Sequence, residues 1–519
     1  MSLGTPVFYY GLGAIMKLDE VRIKDFNFGD VDGSDESLEP KFQDLFYDED
    51  SFYETELSKK KKFIIYGRKG TGKTLLASYI NEKMKHNASQ SSKIVSYDEY
   101  IYEKLKEFKY DSVKKEEQSL FWRYVFLQQF VDLIEKDYDC AYFWQFYRKR
   151  KLKKFIESVT RQFLEVQQFV NEESTEIKNN GKINSTLSDL GVELQVNSST
   201  GNTQKTTSIE SPYFKKYKEI ETEVLNYLKS SRKVYFIFFD DMDRLEETMN
   251  LDEFINLMIS MIYGAQSLNR KIEGNSKIVL LLRSDILKLL FGKSGDVNKP
   301  ITSGGIELIW YESNAAASDS PLIKMVLYKM SKSIDDNLPL SEIRRNFFPT
   351  KDTIFKYMMS RSFGRPRDIV SFFNIYKKKF PEDQKIVLKN MQRVEKEYSE
   401  WFYKEISNEL KITGKFDEVD KLLKSISELG KYEFTYHKLF DFMKKRQGNT
   451  DELLELLTLL VQLGVLGIRL NTGNIEFRYR DYNIDKPVNI HTKFVVHYGL
   501  RKLLSISFND DNEKNITYE

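Results

Sequence analysis

A single cysteine, Cys140, stands in the chain, which excludes a disulfide framework and fits a reducing compartment. No apolar run reaches the roughly 18 residues needed to span a bilayer, so no membrane partner and a cytoplasmic location are expected. Charge of one sign is missing as well. Lys and Arg number 80 against 78 Asp and Glu, and the net +2 excludes whole-chain attraction to a polyanion. The opening residues include Val7-Phe8-Tyr9-Tyr10-Gly11-Leu12 but no basic n-region, so a signal peptide is not expected. Met16 would serve as a start as well as Met1. Asp30, Asp32 and Ser34 are spaced like the opening of a calcium loop. Asp35 stands where that loop needs Gly, and no Glu falls at its last position, so a calcium site is not expected.

What is present begins with length and hydrophobicity. At 519 residues and 41% hydrophobic composition the chain exceeds one core, and about two to four domains are expected. The residues that carry chemistry start at Gly67-Arg68-Lys69-Gly70-Thr71-Gly72-Lys73-Thr74, which fits the G-x-x-x-x-G-K-[ST] phosphate loop. It follows a short apolar run, Phe63-Ile64-Ile65-Tyr66, that predicts a strand. It precedes Leu75-Leu76-Ala77-Ser78-Tyr79-Ile80, which predicts a helix. The glycines let successive backbone N–H groups converge on a phosphate, and the positive helix end favours the anion. Lys73 would span the β- and γ-phosphates of ATP, or meet the β-phosphate of ADP, and the Thr74 hydroxyl would hold Mg²⁺.

A second apolar run, Val234 to Phe239, predicts a strand buried on both faces and ends in Asp240-Asp241-Met242-Asp243-Arg244. An acidic residue at the carboxyl end of such a strand is where a second Mg²⁺ ligand belongs, and Asp240 is the candidate. Asp241 or Asp243 would orient or deprotonate the attacking water. Arg283 closes a third run, Lys277 to Leu282, and would neutralise the γ-phosphate or pair with Asp285 or Asp243. Farther on, Gly364-Arg365-Pro366-Arg367-Asp368 predicts a bend and a helix start. Two arginines there oppose the helix dipole, a disadvantage that a bound phosphate would offset, so Arg365 or Arg367 is expected to contact nucleotide.

Together these segments predict an α/β fold: a three-layer P-loop NTPase core with a parallel sheet, then a helical lid and a C-terminal winged-helix-like domain. The expected boundaries are 1–57 for an acidic leader packing its aromatics on the core, and 58–317 for the NTPase domain. A helical and polar insertion is expected at about 110–212, with a strand around Val192, Leu194 and Val196. The lid would span 318–410 and the last domain 411–519. In that domain Gly467 to Leu470 and Ile475 to Arg480 predict two strands around the turn Asn471-Thr472-Gly473-Asn474. Arg148-Lys149-Arg150-Lys151-Leu152-Lys153-Lys154, preceded by Tyr142, Phe143, Trp144, Phe146 and Tyr147, would suit a nucleic-acid backbone or simply a solvated helix face.

The four motifs resemble those of AAA+-related P-loop NTPases of the STAND and KAP type. The resemblance covers about 60–400 and implies a sensor-1-like role for Arg283 and a sensor-2-like role for Arg365 or Arg367. Val495-Val496-His497-Tyr498-Gly499-Leu500-Arg501 is similar to the winged-helix segment whose histidine holds ADP in resting STAND proteins. That would make His497 a nucleotide ligand, although Tyr498 stands where the motif has Asp. The resemblance implies Mg²⁺-dependent ATP hydrolysis in a regulatory switch of anti-phage defence. Homo-oligomerisation on ATP binding and a separately encoded protein effector would follow. The alternatives are a DNA-acting ATPase motor or loader, and a nucleotide-binding scaffold without turnover.

Overall fold

The computed structural model describes residues 7–10, 14–97, 115–136, part of 147–154, 213–310, 317–334, 338–411, 414–479 and 487–506. Cys140, most of the expected insertion with its strand at Val192–Val196, and the aromatics from Tyr142 to Phe146 lie outside the described residues. Arg148 and Lys151 of the basic run lie outside them too. The chain forms two compact bodies. One comprises Met1–Tyr47, Arg68–Leu75 and Leu308–Glu519, the other Asp48–Gly67 and Leu76–Glu307. Near the start, strands β1 (Val7–Tyr10) and β2 (Ala14–Lys17) pair antiparallel.

The second body is built on a five-stranded parallel sheet. Its strands are β3 (Ile64–Gly67), β4 (Gln90–Ser96), β5 (Val234–Asp240), β6 (Lys277–Arg283) and β7 (Gly305–Glu307), in the order β4-β5-β6-β3-β7. Helices between the strands explain how parallel neighbours are reached. Lys115–Lys136, Tyr213–Ser230 and Leu251–Lys271 pack their apolar faces into the same core. The runs expected at 234–239 and 277–282 are central strands, and every residue of β6 is buried. Ile237, Phe238 and Phe239 are 0% exposed, and burial of each such side chain contributes about 1.5–3 kcal/mol. β7 carries no apolar run and went unexpected; it is read only through its register, Ile306 opposite Ile65.

The first body holds a separate core. Ile23, Phe26 and Phe28 of the leader are buried, with Phe26 edge-on to Phe347 and Phe28 stacked on Phe373, each at 4.8 Å. Glu36 is buried with the Lys329 ammonium as its partner. Helices Pro321–Ile334, Leu340–Phe347, Lys351–Arg361, Pro366–Lys379 and Leu388–Lys411 follow one another. Then come helices Phe416–Leu429, Tyr436–Lys445 and Leu453–Gln462 and a second, antiparallel sheet. Its strands are β8 (Glu433–Thr435), β9 (Leu466–Arg469), β10 (Ile475–Glu476) and β11 (Lys493–Val496), in the order β10-β9-β11-β8. Gly473, at φ +90, makes the turn between β9 and β10 that the sequence predicts. The second of those strands stops at Glu476, and Arg480 lies outside the described residues.

Lys277 opens β6 at 1% exposure. Its ammonium donates to the carbonyls of Leu57, Lys59 (3.1 Å) and Lys62 (2.9 Å) and lies 4.8 Å from the centre of the Phe236 ring. These three carbonyls hold the chain that leads into β3. Burial pushes the Lys277 pKa down to about 7. The unfolded chain keeps this proton to about pH 10.4, so it binds more protons than the folded protein across that window. Stability of this body therefore rises with pH from about 7 to about 10, by at most about 1.4 kcal/mol per pH unit. Urea midpoints across this range should show the rise in the wild type and lose it in Lys277→Met. An identical slope in both proteins would contradict the assignment.

Candidate functional site

In the second body, the chemistry gathers at the carboxyl ends of neighbouring strands, where ligands bind in open α/β sheets. β6 lies between β3 and β5, and Gly67 pairs in register with Arg283. Asp240 ends β5 at 3% exposure and accepts a hydrogen bond from the Asp241 N–H at 2.9 Å. Asp241 is exposed and left-handed, at φ +56. A non-glycine residue there carries about 1 kcal/mol or more of strain, and Asp is among the types that tolerate it. Asp243 lies elsewhere, as an acceptor for Arg283 Nη1 at 3.0 Å. The other edge of Arg283 meets Asp285 through Nε at 3.1 Å and Nη2 at 2.5 Å. Both pairings expected of this arginine are therefore made, and the charge of Asp243 is committed to it.

The loop Arg68–Leu75 belongs to the first body. Gly70 and Gly72 have φ of +82 and +91, the left-handed backbone that a curled loop demands. The loop is tied down by its carbonyls. Trp310 Nε1 donates to Thr71 O at 2.8 Å, Arg365 Nη1 to Lys69 O at 3.2 Å, and the Arg367 N–H to Gly70 O at 3.4 Å. In a trans peptide the N–H points opposite to the C=O, so holding carbonyls on one side turns amides to the other. Inside the loop, Thr71 Oγ1 and Lys73 Nζ both donate to the Arg68 carbonyl, at 2.9 and 3.1 Å.

The arginine segment that meets the loop starts at a bend. Gly364 turns the chain at φ +70, Arg365 is the N-cap, and Pro366 opens the helix Pro366–Lys379. Arg365 is 1% exposed. Its Nε and Nη2 bond Asp368 at 2.8–3.1 Å, and Nη1 bonds Glu409 at 2.7 Å. Burial alone would pull its pKa down, but Asp368 and Glu409 hold it above the ordinary arginine value. Arg367 donates to Val31 O at 2.9 Å and Glu405 at 3.1 Å, with its side chain against Gly70. The offset for two arginines at a helix start thus comes from carboxylates inside the body, on the first turn and on the helix Leu388–Lys411.

His497 is 0% exposed. Its Nδ1 accepts from the Gly499 N–H at 3.1 Å, which leaves the proton of a neutral ring on Nε2, 2.8 Å from Tyr479 OH. Phe363 lies 4.9 Å from the imidazole and 5.1 Å from Tyr479, centre to centre. Arg68 reaches the same group, 4.8 Å from the Phe363 ring centre and 3.6 Å from Glu409 Oε2. Sequence reasoning missed Glu409, Glu405, Trp310, Phe363 and Tyr479. Its one available signal was the unpartnered charge of Arg365 and Arg367, which had to be answered somewhere. Among the described residues no cluster of His, Cys, Asp or Glu would hold a metal alone. The Thr74 hydroxyl and the Asp240 carboxylate are each hard oxygen donors of the type Mg²⁺ takes.

A parallel α/β sheet with a glycine-rich phosphate loop after its β3 strand fits a P-loop NTPase-like core. Residues 320–407 match the model of the FunZ-associated C-terminal helical domain. The chain is 22% identical over 474 residues to the transposon gamma-delta 80.3 kDa protein of Escherichia coli (strain K12). That match covers 86% of this chain, which spans 62% of the relative's length. The solved structure of the Aeropyrum pernix ORC1 protein in complex with DNA aligns over 90% of this chain and 95% of its own, at 11% identity. A TM-score of 0.34 is too low for that likeness to carry any argument about this chain. No helix among the described residues is long and apolar enough to cross a membrane.

Arg365→Ala leaves the Asp368 carboxylate buried without its cation and Glu409 with Arg68 alone, and is expected to destabilise by about 3–5 kcal/mol. Arg365→Lys cannot reproduce the fork and should rescue little. Denaturant unfolding without nucleotide checks both; wild-type stability in Arg365→Ala would contradict the structural assignment.

Proposed function

We propose that the chain binds ATP with Mg²⁺ and hydrolyses it to ADP and phosphate as a slow regulatory switch. The observation that carries this reading is the loop Gly67–Thr74, with glycines left-handed at 70 and 72 and its carbonyls held, leading from β3 into the helix Lys73–Lys85. Its amides and the Lys73 ammonium would bind the β- and γ-phosphates. Thr74 and Asp240 offer hard oxygen ligands of the kind Mg²⁺ takes. When bound, Mg²⁺ neutralises charge on the β- and γ-oxygens. Asp241, the more exposed of the two candidates, is assigned as the base that removes the proton of the attacking water. Arg283, held by two carboxylates, is a fixed positive charge at a strand tip.

The switch reading assigns residues 318–410 as a lid and the elements from Phe416 to Val496 as a winged helix. Arg365 and Arg367 then tie the lid segment to the loop, and His497 braces the aromatic group that Arg68 joins. In the full reading ATP drives self-association in the cytoplasm, and a separately encoded effector takes the signal in defence. The transposon relative favours a DNA-acting alternative. Against it, the helix Leu453–Gln462, which would enter a groove in a helix-turn-helix, has no Lys or Arg and buries Leu453, Leu456, Leu457 and Leu460.

Phosphate release separates these readings. The wild type should turn over slowly and without stimulation by DNA. Asp241→Ala should bind ATP yet lose about 100-fold or more of the rate. DNA stimulation would favour a motor, and ATP binding with no release would sink the enzyme claim.

A further inference from the structure

Arg68 is a variable position of the loop motif, and its side chain leaves the phosphate path. The guanidinium lies 4.8 Å from the Phe363 ring centre and 5.9 Å from that of Tyr479. Its Nη2 donates to Leu463 O at 3.4 Å and faces Glu409 Oε2 at 3.6 Å. The receptor therefore combines two ring faces, one carbonyl and one carboxylate that is shared with Arg365. Leu463 immediately precedes Gly464, β9 begins at Leu466, and Tyr479 follows β10, so the receptor belongs to the antiparallel sheet as much as to the Phe363 bend. The main chain of the same residue has a second attachment. Its carbonyl accepts from Lys73 Nζ at 3.1 Å and from Thr71 Oγ1 at 2.9 Å. Lys73 is the cation that phosphates would claim.

We propose that Arg68 is a positioning residue that couples nucleotide binding in the loop to the antiparallel sheet, resting on the ATP reading above. The Arg68 carbonyl also accepts from the Thr71 N–H at 3.3 Å, so phosphates that draw the Lys73 ammonium away remove one of its three bonds, the one from a side chain the phosphates would claim, and leave it held by Thr71 alone. The peptide then turns, and the guanidinium leaves its receptor. Binding works against the Arg68 contacts, so by reciprocity those contacts work against binding. The sign is diagnostic. A cation that merely attracts phosphate, or merely supports the loop, weakens binding when it is truncated. A latch that opposes binding strengthens it.

The test uses the full chain with ATP and Mg²⁺, reading affinity and deuterium uptake over residues 463–479. In the wild type, ATP should raise uptake there. Arg68→Ala should show the raised uptake without nucleotide and bind ATP about fivefold or more tightly, the lower end of ordinary coupling. Arg68→Lys, which keeps charge without the planar fork, should fall between. Phe363→Leu, which removes a ring face and no charge, should shift affinity in the same direction as Arg68→Ala. Equal or weaker binding by Arg68→Ala, with its ATP-dependent uptake intact, overturns the coupling and leaves the ATP reading standing. A wild type that binds no nucleotide sinks both.

Discussion

Arg365 is buried with its guanidinium spread across Asp368, Glu409 and the Lys69 carbonyl, and the first body is arranged around that charge. A cation out of water is tolerable only when its donors are answered by fixed acceptors. Each acceptor comes from a different stretch of chain: the first turn of one helix, the last turn of another, and the phosphate loop. The Phe363 N–H donates to Asp368 at 2.8 Å, so the same carboxylate also fixes the bend before the helix. One ion cluster thus sets the loop's carbonyl side, the helix start and the end of Leu388–Lys411 together. The neighbouring buried pair of Arg361 and Glu395, 2.6 Å apart, anchors that long helix farther up.

This arrangement bears on function through stiffness. Amides preorganised for phosphate bind without the entropy loss of ordering a loop, and a network of charge-assisted bonds is well suited to hold them. The strand ends of the other body follow the same logic. Arg283 is clamped by Asp243 and Asp285, while Asp241 is turned out on a strained backbone. Two carboxylates in one short turn have thereby been given different surroundings. The proposed division of labour, with Asp241 as base and Asp243 as scaffold, would rest on that difference in surroundings.

The sheet of the second body was largely legible. Continuous apolar runs at Ile64, Val234 and Lys277 are strands because a parallel sheet buries both faces, and a run of six apolar residues has few other uses. β7 was not legible, since Gly305-Ile306-Glu307 is too short for any pattern. The curl of the Gly67–Thr74 loop was readable from its glycines, two of which, Gly70 and Gly72, the structure places at positive φ. What carries the loop was not. Glu409 and Phe363 meet it from far along the chain, and nothing local to either residue marks the meeting. The excess of arginine at 365 and 367 was visible, but sequence could name only a phosphate as the answering charge. The folded chain supplies carboxylates instead.

If Gly67–Thr74 is a working phosphate site, calorimetric titration of the full chain with ATP and Mg²⁺ will show it. One-to-one binding is expected, weakening about 100-fold or more in Lys73→Ala, since the ammonium is a charge-assisted donor to two phosphates. Absence of binding in the wild type, or equal affinity in Lys73→Ala, would contradict the phosphate site.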